Sequence, residues 1–175
     1  MEKLFLIKPD DSYSEQIAEY RQEFLDINSS LDGCGALMRM ENPSDWLQQC
    51  KDCENKETVP EGWVEATQFI LVRESDNRLL GMIQVRHYFN EFLENYGGHI
   101  GYSVRPSERK KGYARQMLKM CLPYCAEIGL NKVLITCKET NEGSRKTILA
   151  NGGIYESTVV VPDDNIRLER YWIEI

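Results

Sequence analysis

The residues best suited by type and spacing to do chemistry lie between Gly97 and Arg115, in GGHIGYSVRPSERKKGYAR. Ile100, Tyr102 and Val104 alternate with smaller or polar residues, the period of a strand. Pro106 closes it, because proline has no N–H for a ladder and restricts the residue before it. Arg109-Lys110-Lys111-Gly112-Tyr113-Ala114 then opens a helix. The first turn of a helix has unpaired N–H groups and the positive end of the dipole. Gly112 has no Cβ to hold a ligand off that backbone. Strand, basic glycine loop and helix start together make an anion site suited to phosphate or pyrophosphate. A lone basic glycine loop is more often a solvated turn. Here a long amphipathic helix follows, and a second matching segment comes about 30 residues later.

The stretch resembles the acetyl-CoA-binding core of the GCN5-related N-acetyltransferases, the GNAT superfamily. The family pattern of Arg or Gln, two residues, Gly, one residue, Gly or Ala is met by Arg109, Gly112 and Ala114, with Val104 as the hydrophobic strand end before it. A second family segment is met by Asn141, Ser144 and Asn151-Gly152-Gly153. Either motif alone is weak; both in order are specific. The resemblance covers the chain from about Leu79 onward.

The resemblance implies a mixed α/β fold, with a mostly antiparallel sheet splayed at its middle strands and flanked by helices. It implies acetyl-CoA as cosubstrate, with its pantetheine arm against the backbone of Tyr102, Ser103 and Val104. The pyrophosphate would rest on the N–H groups of Lys110 to Arg115, a span that includes Lys111, Gly112, Tyr113 and Ala114. Asn141 and Ser144 would touch the arm from the other side. The reaction would be direct attack of an amine on the thioester, which needs a proton acceptor for the amine and a hydrogen-bond donor for the thioester oxygen. A backbone N–H near Val104 fits the second task.

One departure bears on the leaving thiolate. The family often places a proton-donating Tyr seven residues after the helix Asn, and Ile148 stands there. Tyr102 and Tyr155 are the substitute donors. His99, at the start of the central strand, is the favoured base, and His87 ends the strand before it; an unperturbed imidazole titrates near neutrality. Glu91 and Glu94 are positioned to hold a cationic amine or to face water. The leading reading is an N-acetyltransferase for a small-molecule or peptide amine. The alternative, kept open by Ile148, is a CoA-binding regulatory module of the same fold without catalysis. A nucleotide-binding P-loop is weaker, since Gly112-Tyr113-Ala114 does not supply its Gly-Lys-Ser/Thr.

The chain's 175 residues suit a single domain spanning 1–175. A net charge of −7 argues against a general nucleic-acid partner. Its local positive charge gathers at Arg105, Arg109, Lys110, Lys111 and Arg115, which suits a small anion. No run reaches the length of a membrane span, and the short apolar start closed by Lys8 and Pro9 does not read as a signal peptide. A cytoplasmic location with reduced cysteines is expected. Cys50 and Cys53 form one C-x-x-C with no second pair, so no metal site is assigned.

The elements that must hold the motifs follow from periodicity. Expected are a strand over Leu4–Ile7, a helix over Ser12–Ile27, and a helix capped by Ser44 within a weakly patterned segment, Ser29–Ala66. The resemblance makes that segment the substrate-facing one. A hairpin is expected over Gln68–Glu74 and Leu79–Phe89, and a short helix or loop over Asn90–Tyr96. The helix from Gly112 to about Ile128 is expected to bend at Pro123. A strand at Lys132–Cys137, a helix at Asn141–Ala150 and strands at Ile154–Val161 and Ile166–Ile175 complete the order. The apolar Tyr171-Trp172-Ile173 suggests pairing across a homodimer.

Overall fold

A computed structural model describes residues 2–175. The first strand, β1 (Leu4–Ile7), is followed by α1 (Ser14–Asp26), α2 (Pro43–Cys53), β2 (Ala66–Arg73), β3 (Arg78–Arg86), β4 (Ile100–Val104), α3 (Tyr113–Glu127), β5 (Lys132–Lys138), α4 (Glu142–Ala150), β6 (Ile154–Val160) and β7 (Arg167–Glu174). The strands form two antiparallel sheets, β1-β2-β3-β4 and β5-β7-β6. This is the mixed α/β arrangement the sequence implies, and the boundary between the sheets is the splay.

Local chemistry accounts for most boundaries. Asp10 accepts the Ser12 N–H at 2.8 Å and starts a short 3-10 turn that runs into α1. Ile17, Tyr20 and Phe24, at helical spacing, are fully buried along α1. The α2 cap is Asn42, not Ser44: its side chain accepts the Ser44 N–H at 3.0 Å, and Pro43 takes the first helical position, where a missing N–H costs nothing. β3 stops at Arg86 rather than Phe89, and the chain then makes a π turn over Leu93–Gly97. α3 continues through Pro123 and buries Met117, Leu118, Cys121 and Cys125. One side of the first sheet packs on α3; its other side packs on α1 and α2.

The two sheets meet at the start of β4. The His99 N–H donates to the Leu134 carbonyl at 2.8 Å, and the Leu134 N–H donates to His99 Nδ1 at 2.9 Å. Gly98 allows this approach. Its φ is +68°, and a Cβ there would lie 2.5 Å from the Leu134 oxygen. Beyond this clip β4 and β5 part. On its other edge β4 is held by β3, through Arg86 N–H to His99 O at 2.7 Å and Arg105 N–H to Leu80 O at 2.8 Å. Alternation along an antiparallel ladder then turns the N–H and C=O groups of Tyr102 and Val104 away from β3, into the splay.

The strand order corrects the dimer argument. β7 runs between β5 and β6, with Tyr171 and Trp172 paired on both sides and Ile173 paired to β5, so it is the inner strand of its sheet. Arg105 corrects another reading, because it does not serve as free positive charge. It is 1 % exposed, and it binds Glu23 at 2.9 Å, the Leu79 carbonyl at 2.8 Å and the Gln16 carbonyl at 3.2 Å. These bonds tie the end of β4 to α1. Arg105→Ala leaves the Leu79 and Gln16 carbonyls without their donor and takes the nearest cation from Glu23, and is expected to cost about 3 kcal/mol in urea unfolding. Lys3→Ala, which removes the exposed partner of Glu74, should leave the midpoint unchanged.

Candidate active site

A cleft of about 730 Å³ opens where β4 and β5 part. Its lining includes β4, the Arg109–Arg115 loop, the end of β5 and the start of α4. Of the residues singled out from sequence, Tyr102, Ser103, Val104, Arg109, Lys110, Gly112, Tyr113, Ala114, Arg115, Asn141 and Ser144 all line it. They come from three separate stretches of chain, and the fold brings them to one place.

The loop is built to offer its backbone. Lys110 and Gly112 have φ values of +64° and +84°, the left-handed region. Such alternation in successive residues curls N–H groups into a concavity that suits an anion. A non-glycine residue at positive φ is strained and is typical of ligand loops. The N–H groups of Tyr113, Ala114 and Arg115 begin α3 and have no acceptor among the described residues; the first capped bond is Gln116 N–H to the Gly112 carbonyl at 3.2 Å. The Tyr113 side chain is buried, donating to Glu2 at 2.6 Å and accepting from Arg73 at 3.1 Å, so this residue offers the cleft only its backbone.

Beneath the loop, Glu108 is 6 % exposed and gathers Arg78 at 3.0 Å, Lys111 at 2.8 Å and Arg73 at 3.5 Å. Burial raises its pKa, but the hydrogen bonds and charges of Lys111 and Arg73 outweigh this and hold the carboxyl below its ordinary value. Lys111 therefore serves the loop's own framework and does not line the cleft. Arg109 lies over the Phe24 ring at 5.1 Å and donates to the Val104 carbonyl at 3.3 Å. Lys110 and Arg115 are exposed at the mouth.

Across the splay, Asn141 caps α4 by accepting the Ser144 N–H at 3.1 Å. Tyr102 Oη lies 2.7 Å from Ser144 Oγ. Burial raises the Tyr102 pKa, so its hydroxyl keeps its proton at neutral pH. Ile148 is fully buried in the core that α3 shares with the sheets, so the position of the family's usual tyrosine faces packing here. Tyr155 is exposed on β6, bonded to Thr158 at 2.8 Å, and lies outside the cleft.

His99 is placed differently from the expectation of a base. It is 6 % exposed, absent from the cleft lining, and stacked with Phe89 at 4.0 Å. Nδ1 is taken by the Leu134 N–H. Burial, with the Arg86 charge adding to it, lowers its pKa to about 4. A neutral ring holding two sheets together is a positioning group. His87 bonds Thr67 at 2.9 Å outside the cleft, and Glu91 and Glu94 are exposed away from it.

Two cleft residues escaped sequence reasoning. Asp32, in the loop between α1 and α2, is exposed and in no ion pair among the described residues; its one side-chain contact is Ser30 Oγ at 3.4 Å. Arg86, at the end of β3, lines the same part of the wall. The only signal for Asp32 was its place in the weakly patterned substrate-facing segment.

The family profile of the acetyltransferase (GNAT) domain matches residues 11–154. The chain belongs to the GNAT acetyltransferase family. A ribosomal L7/L12 α-N-protein acetyltransferase, RimL, solved with coenzyme A, is similar at 15% identity and TM-score 0.71, with 98% of this chain and 94% of that one covered. The microcin C7 self-immunity acetyltransferase MccE, solved with acetyl-CoA and AMP, is similar at 16% identity and TM-score 0.71, with 99% and 93% covered. The dodecameric spermidine N-acetyltransferase of Vibrio cholerae is similar at 13% identity and TM-score 0.67, with 98% and 93% covered. At such identities these structures establish the GNAT fold. No curated protein sequence matches this chain. No described helix is long and apolar enough to cross a membrane.

The clip makes its own forecast. His99 has a folded pKa below the unfolded value, so the unfolded chain takes the proton first and acid favours unfolding. The stability His99 contributes should be complete above about pH 6.5 and fall away as the pH drops toward about 4. The gap in unfolding free energy between wild type and His99→Gln should therefore be widest at pH 7 and narrow on acidification. A gap independent of pH would remove this role.

Proposed function

We propose that this protein transfers the acetyl group of acetyl-CoA to a primary amine of a small molecule or peptide, by direct attack. The observation that carries the reading is the pairing, in one cleft, of the N–H cradle at Lys110–Arg115 with the Tyr102 and Val104 N–H groups of β4, which have no acceptor among the described residues. The cradle takes the pyrophosphate, and Lys110 and Arg115 supply charge at the mouth. The pantetheine arm lies along Tyr102–Val104, where the groups facing the splay can pair with its amides, and Asn141 and Ser144 flank it. This geometry favours an enzyme over a silent CoA-binding module, because the splay also holds a protonated hydroxyl at Tyr102.

In the reaction the amine nitrogen attacks the thioester carbonyl carbon. The C–N bond forms, the C–S bond breaks, and the electron pair leaves on sulfur. A β4 N–H steadies the oxygen as charge builds on it. Tyr102 gives a proton to the departing thiolate, and the amine loses one to solvent through Asp32, the unpaired carboxylate of the cleft. An acyl-cysteine route is disfavoured. Cys137 lines the cleft, but burial, with Glu169 adding to it, pushes its thiol up to about 11, and a thiol is a poor nucleophile.

The test is thermal shift by CoA together with thiol release from acetyl-CoA over an amine panel. Gly112→Asp puts a carboxylate where phosphate sits and strains a residue at φ +84°. It should abolish the CoA shift while the fold persists by circular dichroism. An unchanged shift in a folded Gly112→Asp protein would take the cofactor away from this loop. Tyr102→Phe should keep CoA binding and lower kcat tenfold or more, about 1.4 kcal/mol. Full turnover in that variant would free Tyr102 from the donor role.

A further inference from the structure

Arg86 is the unexplained charge of the cleft. Its guanidinium lies over β4 at Gly101, on the side where α1 and α2 pack. A Cβ built on Gly101 would sit 3.1 and 3.2 Å from its two terminal nitrogens, and 3.2 Å from the Gly33 Cα. The bare backbone at Gly101 therefore leaves room for the guanidinium, one residue from Tyr102, and Gly33 lets its own loop close onto Gly101. Among the described residues only one acceptor reaches it, the Gly97 carbonyl, 3.4 Å from Nη1. No carboxylate among the described residues comes within 4.0 Å of it, whereas Arg73, Arg78, Arg105 and Arg145 each have one.

Arg105 shows what an enclosed arginine looks like when its role is structural: two backbone carbonyls and two carboxylates share its nitrogens. Arg86 is half-buried in the cleft wall and has far fewer partners. Burial lowers its pKa to about 10, with Asp32 opposing the fall, so the group stays charged at neutral pH. A half-buried charge with one long hydrogen bond still has donors to give, and such groups cluster at ligand sites. A guanidinium offers a planar fork of donors that matches two oxygens of a carboxylate or phosphate. Asp32 in the same wall offers the opposite charge.

We propose that Arg86 binds an oxyanion on the acceptor, so that the acceptor is an amine that also carries a carboxylate or phosphate. This rests on the acetyl-transfer reading above. The anion docks on Arg86, the amine reaches toward Asp32 and the thioester, and a polyamine is rejected by the same guanidinium. Amine acetylation itself is unchanged; Arg86 selects and positions the acceptor.

Matched pairs test it. Thiol release from acetyl-CoA is measured for β-alanine against β-alaninamide, for phosphoethanolamine against ethanolamine, and for spermidine. The anionic member of at least one pair should lead in kcat/KM by about tenfold or more, and the pair that responds tells carboxylate from phosphate. Arg86→Gln should erase that preference through KM with kcat largely kept, Arg86→Lys should restore part of it, and the CoA thermal shift should persist in both. Equal or better use of the neutral amines or spermidine, or a preference that survives Arg86→Gln, overturns the proposal. If no amine releases thiol, or CoA does not bind, the transfer reading fails separately, and the Arg86 Nε–Hε NMR signal, assigned by its loss in Arg86→Gln, decides. A saturable shift with β-alanine or phosphoethanolamine supports the oxyanion site, and an unmoved signal overturns it.

Discussion

The fold depends on two strands that meet at one end and not at the other. The exchange of bonds between His99 and Leu134 fixes β4 to β5 at its start, and nothing bridges their backbones afterwards. An open β4 edge in a protein interior is costly unless something pairs with it, since buried backbone polar groups need partners. The molecule keeps the cost local. β3 holds the other edge of β4 in full register, and Tyr20 and Arg105 bind the strand to α1 and the hairpin. The opening that remains has the shape and polarity of a missing strand, and the amides of a pantetheine arm can supply one.

The loop end of the cleft, where the proposal seats the pyrophosphate, follows a different logic, in which charge is divided between the framework and the mouth. Five basic residues lie between Arg105 and Arg115. Arg105 and Lys111 turn inward to Glu23 and Glu108, and this fixes the path of the loop. Arg109 stacks on Phe24. Lys110 and Arg115 stay at the mouth. Because the loop is braced by its own ion pairs, the N–H groups at the start of α3 are already arranged before any phosphate arrives, and little ordering remains to oppose binding.

The local parts of this were legible in the sequence. The alternation of Ile100, Tyr102 and Val104, the stop at Pro106, the glycine loop and the helix start at Asn141 are short-range features, and each is where its chemistry required. The misplaced parts all depend on distant partners. Arg105 and Lys111 were counted by type, but Glu23 and Glu108 decide their roles. His99 titrates near neutrality as a free side chain, but the Leu134 N–H and the Phe89 ring make it a buried neutral clip. β7 looked like a free apolar strand because strand order is not written in hydrophobic period. Arg86 ends a strand and Asp32 sits in a weakly patterned loop, and only the packing of that loop across Gly101 brings them to one wall.

Amide hydrogen exchange with and without CoA tests the central claim most directly, because it reads the open edge and the cradle residue by residue. Slower exchange on binding is predicted at Tyr102 and Val104, which face the splay, and at Tyr113, Ala114 and Arg115, which open α3. Amides of β2 over Ile70–Arg73, already flanked by β1 and β3, should not change. Protection that spares both groups and appears elsewhere, or protection spread evenly over the chain, would contradict a cofactor seated between β4 and β5.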